Sequence, residues 1–277
     1  MNNKIFYSII LLLLFITSDC RSENDIHISF LNTNDGDAIF LEHDDIRFLI
    51  DTGPPLLQKT ILDKVKKGSL SIIITHPHPD HYGGLFYLQG LAEIKTIYDN
   101  GESLLKMHEG QDYAAWYGYI IRQNPSYKSL KKGDVPYSTP NLKIEVLWPP
   151  FISDKRDFNE NSLVLLITAF KRRILLMGDA PNTVESIITN EEVAPESVDV
   201  LKIGHHASED VASEPFLKRT SPRFSVITGS GNQRYKYNHP ETLKRLKKYS
   251  DRVLSTNDLG SITYTITPSG ADNFSVK

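Results

Sequence analysis

The sequence predicts an α/β sandwich, two packed β-sheets covered by helices, formed by one domain. Short β-like runs dominate both halves of the chain, helical patterns fall between them at similar positions, and no Pro/Ser-rich linker divides the 277 residues. The composition agrees: 40% hydrophobic and 23% charged residues suit a globular core and exclude disordered, collagenous and coiled-coil classes. With 31 basic and 34 acidic residues the net charge is −3, so no global field draws nucleic acid or acidic lipid, and an anionic substrate needs a local site. Cys20 is the one cysteine, which excludes an internal disulfide and a cysteine zinc cluster. A metal site here requires histidines and carboxylates.

The chain opens with residues that read as an address. Met1 to Lys4 carry one positive charge, and Ile5 to Ile16 are apolar except for Ser8, a run too short to span a bilayer and suited to a secretory signal over residues 1–20. The expected protein is exported: periplasmic, extracellular, or anchored to a membrane as a lipoprotein. Cys20 stands where a bacterial lipoprotein signal places its acylated residue, although Asp19 departs from the small uncharged residue usual before it. A plain signal peptide with an incidental cysteine is the alternative. The mature domain is expected over 25–277, and its oligomeric state is left open.

Strands are expected over Ile26–Leu31, Ala38–Glu42 and Ile46–Ile50, separated by the turn residues Asn34-Asp35-Gly36 and Asp44-Asp45. Apolar residues at Leu57, Ile61, Leu62 and Val65 predict a helix over Leu56–Lys67, and the apolar run Leu70–Ile74 a buried strand leading into THPHPDHYGG. Leu85–Leu91 reads as a helix and Ile94–Tyr98 as a strand. Residues 100–140 read as a lid or insertion beside the core, with an aromatic-rich helix over Glu102–Arg122 and a basic hairpin or loop over Lys128–Gly133. Strands Leu142–Trp148, Leu163–Ala169 and Arg173–Met177 follow, then helix Asn182–Thr189, strand Val198–Ile203, helix Glu214–Arg219 and strand Phe224–Thr228. Helix Pro240–Tyr249 and strands Arg252–Ser255 and Ser261–Ile266 close the pattern.

The chemistry concentrates in His76-Pro77-His78-Pro79-Asp80-His81. Three imidazoles and a carboxylate on a proline-stiffened loop leaving a strand supply the mixed N/O donors that zinc and similar divalent ions accept, and the pairs His76/His78 and Asp80/His81 divide naturally between two ions. Asp179 ends the apolar run LLMGDA, where its two oxygens can bridge two cations; on its own such a residue is more often an N-cap, here for the helix near Asn182. His205 and His206 also end an apolar strand. Asp51, after FLI, is expected to orient a ligand histidine. His239, between Asn238 and Pro240, follows the stretch from Gly229 to Tyr237, whose backbone amides can hold a phosphate; helix capping or packing on Tyr237 is the plainer alternative. The basic clusters around Lys66, Arg172 and Lys247 read most simply as solvated faces, and nucleic-acid binding would require Arg234, Tyr235, Lys236 and the aromatic residues around Trp116 to line one groove.

HPHPDH with FLIDTG before it and LLMGDA and IGHHAS after it resembles the metallo-β-lactamase superfamily of binuclear hydrolases, over Ile26 to Ile266. The segments NDGDAI (34–39), NSLV (161–164), HHAS (205–208), NHP (238–240) and TNDLG (256–260) look like the hydrolase domain of the ComEC competence proteins and their free-standing relatives, which include phosphodiesterases and nucleases. The resemblance implies an αββα sandwich of two mixed sheets holding two divalent ions, Zn or Mn. It implies His76 and His78 on the first ion, Asp80, His81 and His206 on the second, and Asp179 between them. Asp80, His205 and His239 are then the catalytic side chains, with Asp37, Asp51, Asn161, Ser162 and Asn238 supporting the ligands or touching substrate. The most familiar branch has a third histidine on the first ion. Here His108 is the only histidine in that interval, and Asn161-Ser162 occupies the corresponding stretch.

The implied reaction is hydrolysis of a phosphodiester, DNA and RNA among the candidates, by a hydroxide bridging the two ions. Two alternatives stand beside it. One keeps the metals and takes a lactone, β-lactam or thioester; the other is a non-catalytic surface-binding module, which the full set of ligand residues disfavours.

Overall fold

The computed structural model describes residues 24–56, 58–66, 68–88, 90–102, 111–123, 126–229 and 238–276. The signal region with Cys20, His108, the stretch 230–237 and the side chains of Tyr113 and Trp116 lie outside the described residues. Strands β1 (Ile26–Phe30), β2 (Ile39–His43) and β3 (Ile46–Ile50) form an antiparallel meander. Helix α1 (Lys59–Val65) then crosses to β4 (Leu70–Ile73), and α2 (Pro79–Tyr82) with α3 (Leu85–Leu88) to β5 (Ile94–Asp99), both strands adding in parallel. After α4 (Gln111–Gln123), the short β6 (Lys128–Ser129) ends this sheet and β7 (Tyr137–Ser138) begins the next.

The second sheet repeats that plan. β8 (Leu142–Trp148), β9 (Val164–Ala169) and β10 (Arg172–Leu176) are antiparallel. Helix α5 (Asn182–Asn190), β11 (Val200–Lys202), α6 (Glu214–Thr220), β12 (Phe224–Ile227), α7 (Pro240–Tyr249) and β13 (Arg252–Ser255) continue it as parallel crossovers. Helix α8 (Thr256–Leu259) then returns the chain to the first sheet as β14 (Ile262–Ile266) and β15 (Asp272–Val276), beside β1. A meander followed by parallel crossovers in each sheet is the duplicated plan that the sequence pattern suggests. Among the described residues no helix is long and apolar enough to cross a membrane.

Both faces of the central strands are buried toward their carboxyl ends, which is why Ile72–Ile74 and Ile174–Met177 read as apolar runs rather than alternating ones. Ile174 and Leu176 point between the sheets, where they meet Ile28, Ile50 and Ile73, while Leu175 points out beneath α5 with Val184 and Leu201. On the opposite face Leu49, Ile72, Tyr82 and Tyr117 pack together under the other helices. The order is helix, sheet, sheet, helix.

Three features depart from the sequence reading. Residues Pro79–Tyr82 of the histidine motif form a helical turn rather than a plain loop, because Pro79 at its first position presets φ. Part of the expected lid belongs to the body: Lys128–Ser129 pairs with β5, Leu130 is buried in the inter-sheet core, and Tyr137–Ser138 pairs with β8. Strand β15 is unforeseen. Its polar sequence hides a hairpin in which Phe274 stacks on Tyr264 at 4.7 Å.

Candidate metal centre

The site gathers at the carboxyl ends of β3, β4, β10, β11 and β12, where apolar strands give way to polar loops. Asp51 follows β3 with φ 56°, and its carboxylate accepts from Thr75 N at 2.7 Å and Thr75 Oγ1 at 2.8 Å, joining the ends of β3 and β4. From Thr75 the motif turns through His76 and His78 into α2, which sets Asp80 and His81 on the same side of the cleft. Gly36 makes this approach feasible: a Cβ there would stand 1.8 Å from the Asp80 carbonyl oxygen, and its φ of +71° suits glycine. Across the cleft, His205, His206 and Ala207 have consecutive positive φ values of 37°, 50° and 60°, a strained run that turns His206 inward.

Three imidazoles converge on one carboxylate oxygen. Nε2 of His81, His206 and His76 lies 3.2, 3.5 and 3.8 Å from Asp179 Oδ2. His206 Nε2 is also 3.3 Å from Asp80 Oδ2, and His76 Nε2 is 2.9 Å from His78 Nδ1. The opposite ring nitrogens are engaged by the protein: His81 Nδ1 with Asp51 Oδ2 at 2.8 Å, His206 Nδ1 with the Thr228 carbonyl at 2.9 Å, and His76 Nδ1 with Ser162 Oγ at 3.0 Å and Thr75 Oγ1 at 3.1 Å. Because a carbonyl or carboxylate only accepts, the first two rings carry a proton on Nδ1 and turn Nε2 toward Asp179.

These donors fit divalent cations. Two groups of ligand atoms, each within 4.8 Å, share Asp179: Asp80, His81, Asp179 and His206 in one, His76, His78 and Asp179 in the other. His81 Nε2 and Asp179 Oδ1 are buried without a well-formed hydrogen bond, an arrangement costly for a purely structural cluster. The electrostatics agree. Burial opposes a charge on His81, yet Asp179, Asp51 and Asp80 raise its pKa well above the ordinary imidazole value; burial likewise opposes ionisation of Asp179, yet His81 and His206 hold it well below the carboxylate range. Burial and the charge on His81 push His76 down.

The remaining expected residues are distributed around this cage. Ser162 accepts from Asp179 N at 3.0 Å as well as touching His76. Asn161 is committed elsewhere: its amide donates to Glu102 Oε2 at 2.7 Å and Ser153 O at 3.1 Å. Asp37 bonds Thr228 and lies 3.5 Å from His206 Nδ1. His205 sits nearer the surface, 3.2 Å from Ser208 Oγ through Nδ1 and 3.4 Å from the Asn159 amide through Nε2. Asn238 and His239 are stitched to the His206 turn by backbone bonds to the carbonyls of His206 and Ala207, and His239 occupies the N-cap position of α7 without a side-chain capping bond. Thr75, Thr228, Phe158 and Lys202 were not expected. Phe158 packs edge-on against His78 at 5.5 Å. For Lys202 a signal existed, a lone cation inside the apolar strand VLKI.

A model of the metallo-beta-lactamase superfamily matches residues 31–252. The chain belongs to this superfamily. The superfamily is one of metal-dependent hydrolases, and the clustered His and Asp side chains of this chain could hold divalent ions. It is similar to ComE operon protein 3 of Bacillus subtilis, with 27% identity over 92% of this chain and 34% of that protein, and to competence protein ComA of Neisseria gonorrhoeae, with 21% identity over 87% of this chain and 32% of that protein. The chain therefore spans about a third of the length of these curated relatives. Among solved structures, the metallo-beta-lactamase fold protein YhfI of Bacillus subtilis superposes with a TM-score of 0.55 at 14% identity, covering 91% of this chain and 100% of YhfI. CmlA, a diiron beta-hydroxylase from Streptomyces venezuelae, superposes with a TM-score of 0.54 at 16% identity, covering 84% of this chain and 53% of CmlA. The superfamily fold is thus the two mixed sheets and flanking helices described above.

Proposed function

We propose that the protein is an exported phosphodiesterase of nuclease type that works with two divalent ions, zinc or manganese. The observation that carries this reading is the sharing of Asp179 between two adjoining sets of ligand atoms. His76, His78 and Asp179 would hold one ion, and Asp80, His81, His206 and Asp179 the other. Such a pair of ions lowers the pKa of a water and offsets charge developing at an attacked phosphorus.

The chain's own groups do the rest. Asp51, Ser162 and the Thr228 carbonyl lock the three buried imidazoles, so the cage needs little reorganisation. His205, at the half-buried rim, would contact a nonbridging oxygen; Asp210, 3.6 Å from its Nδ1, supports its protonated form. His239 at the start of α7 offers a second imidazole for the leaving oxygen. A phosphodiester, and nucleic acid in particular, is favoured because the name of the Neisseria gonorrhoeae relative refers to competence and that of a Haemophilus influenzae protein, 25% identical over 58% of this chain and 22% of that protein, to recombination. Export rests on the N-terminal apolar run, with Cys20 as the point of a lipid anchor.

The test is turnover of bis(p-nitrophenyl) phosphate by the purified protein loaded with Mn²⁺ or Zn²⁺, beside an Asp80→Ala variant and with nitrocefin as a parallel substrate. Metal-dependent cleavage lost in the variant supports the assignment. Bound metal with cleavage of nitrocefin alone would overturn it in favour of acyl substrates.

A further inference from the structure

Lys202 is the last residue of β11, and its side chain and that of Asp37 are fully buried. Its Nζ pairs with Asp37 Oδ2, donates to the Gly178 carbonyl at 2.9 Å and stands 3.8 Å from Asp179 Oδ1. Asp179 Oδ1 is the carboxylate oxygen that faces away from the three imidazoles and has no hydrogen bond among the described residues. Asp37, Asp51 and His81 form a third group of ligand atoms within 4.8 Å, next to the two groups that share Asp179. A buried trio of that kind attracts a cation, and here a cation is already present on the chain.

We propose that Lys202 is the permanent third cation of the centre. Its ammonium satisfies the Asp37 side of the acidic cluster, where another divalent ion would otherwise enter, and its charge biases Asp179 to offer Oδ2 to the metal side. The count of charges supports this: two divalent ions would offset the four carboxylates of Asp37, Asp51, Asp80 and Asp179, and Lys202 adds one positive charge beside them. Because the ammonium is covalently held, it also keeps Asp37, and through it Thr228 beside His206, in place when metal is absent.

The inference rests on the metal cage described above, and metal content separates the two. The wild type, Lys202→Met and the double variant Lys202→Met/Asp37→Asn are equilibrated with excess Mn²⁺, desalted, and their bound manganese per chain is measured by mass spectrometry, with melting followed before and after chelation. Lys202→Met is expected to carry one more Mn²⁺ per chain than the wild type and to gain more in melting temperature from added Mn²⁺; the double variant is expected to return to the wild-type count. Equal counts in the wild type and a folded Lys202→Met would overturn the role of Lys202 alone. So would a Lys202→Met chain that Mn²⁺ cannot rescue while the double variant folds. A wild type that binds no ion would overturn the cage itself.

Discussion

Asp51 and His81 meet through a 2.8 Å contact between Oδ2 and Nδ1, with both side chains fully buried. The carboxylate, itself anchored on Thr75, fixes the proton on Nδ1 and leaves Nε2 aimed at Asp179. A residue that touches no ion can thereby decide how well one binds. Replacing Asp51 with Ala is expected to weaken binding of the ion at His81 by roughly 10- to 100-fold. Competition against a chelator of known affinity checks this, and unchanged affinity would contradict the orienting role.

Ser162 serves two partners, the His76 ring and the Asp179 backbone amide. Ser162→Ala leaves a buried donor without its acceptor, at a cost of about 1–3 kcal/mol in stability. Metal titrations should show the larger effect at the His76/His78 side. Equal weakening of all bound metal would argue that Ser162 acts only through Asp179.

Gly36 and Gly133 provide a matched pair. Both have positive φ, but a Cβ at Gly36 would collide with the Asp80 backbone whereas one at Gly133 meets nothing within 4 Å. Gly133→Ala should cost about 1–2 kcal/mol, the left-handed penalty alone. Gly36→Ala should cost more, roughly 3 kcal/mol or above, and should reduce metal binding because the obstructed atom belongs to a ligand residue. Chemical denaturation of both variants settles the ranking.

Asp199 predicts a pH dependence remote from the site. Burial pushes its carboxyl up, but bonds from Arg173 N, Arg223 and Arg172 outweigh this and hold it below the usual 3.8. The unfolded chain therefore takes up the proton first as pH falls. The stabilisation is complete above about pH 4–5 and is lost as pH drops through the lower folded value. Solvent screening limits it to roughly 1 kcal/mol. Asp199→Asn should lower stability at pH 7 by about that amount and reduce the further loss between pH 5 and pH 2, as read from urea unfolding across pH.

Much of this was legible because strands buried on both faces announce themselves as apolar runs, and FLID, IIITHPHPDH, LLMGD and LKIGHH each end such a run on a polar side chain. Spacing alone distinguishes less well between His205 and His206; the consecutive left-handed residues that turn His206 inward are invisible in residue types. Thr75 and Thr228 are ordinary threonines whose importance arises only when the ends of β3 and β4 in one sheet meet the ends of β11 and β12 in the other. Strand β15 was hidden because its stability comes from a cross-strand pairing with Tyr264 rather than from its own hydrophobicity. Asn161, adjacent to Ser162 in the same motif, is spent on Glu102 and Ser153, a division of labour that adjacency in sequence does not reveal.

The most direct measurement is the metal content of the wild type against Asp179→Ala after equilibration with excess Mn²⁺ or Zn²⁺ and desalting. Sharing of Asp179 between the two ligand groups predicts two ions per chain in the wild type and loss of both, or retention of one at most with markedly weaker affinity, in the variant. A folded Asp179→Ala that retains the full wild-type content would contradict the shared-carboxylate cage.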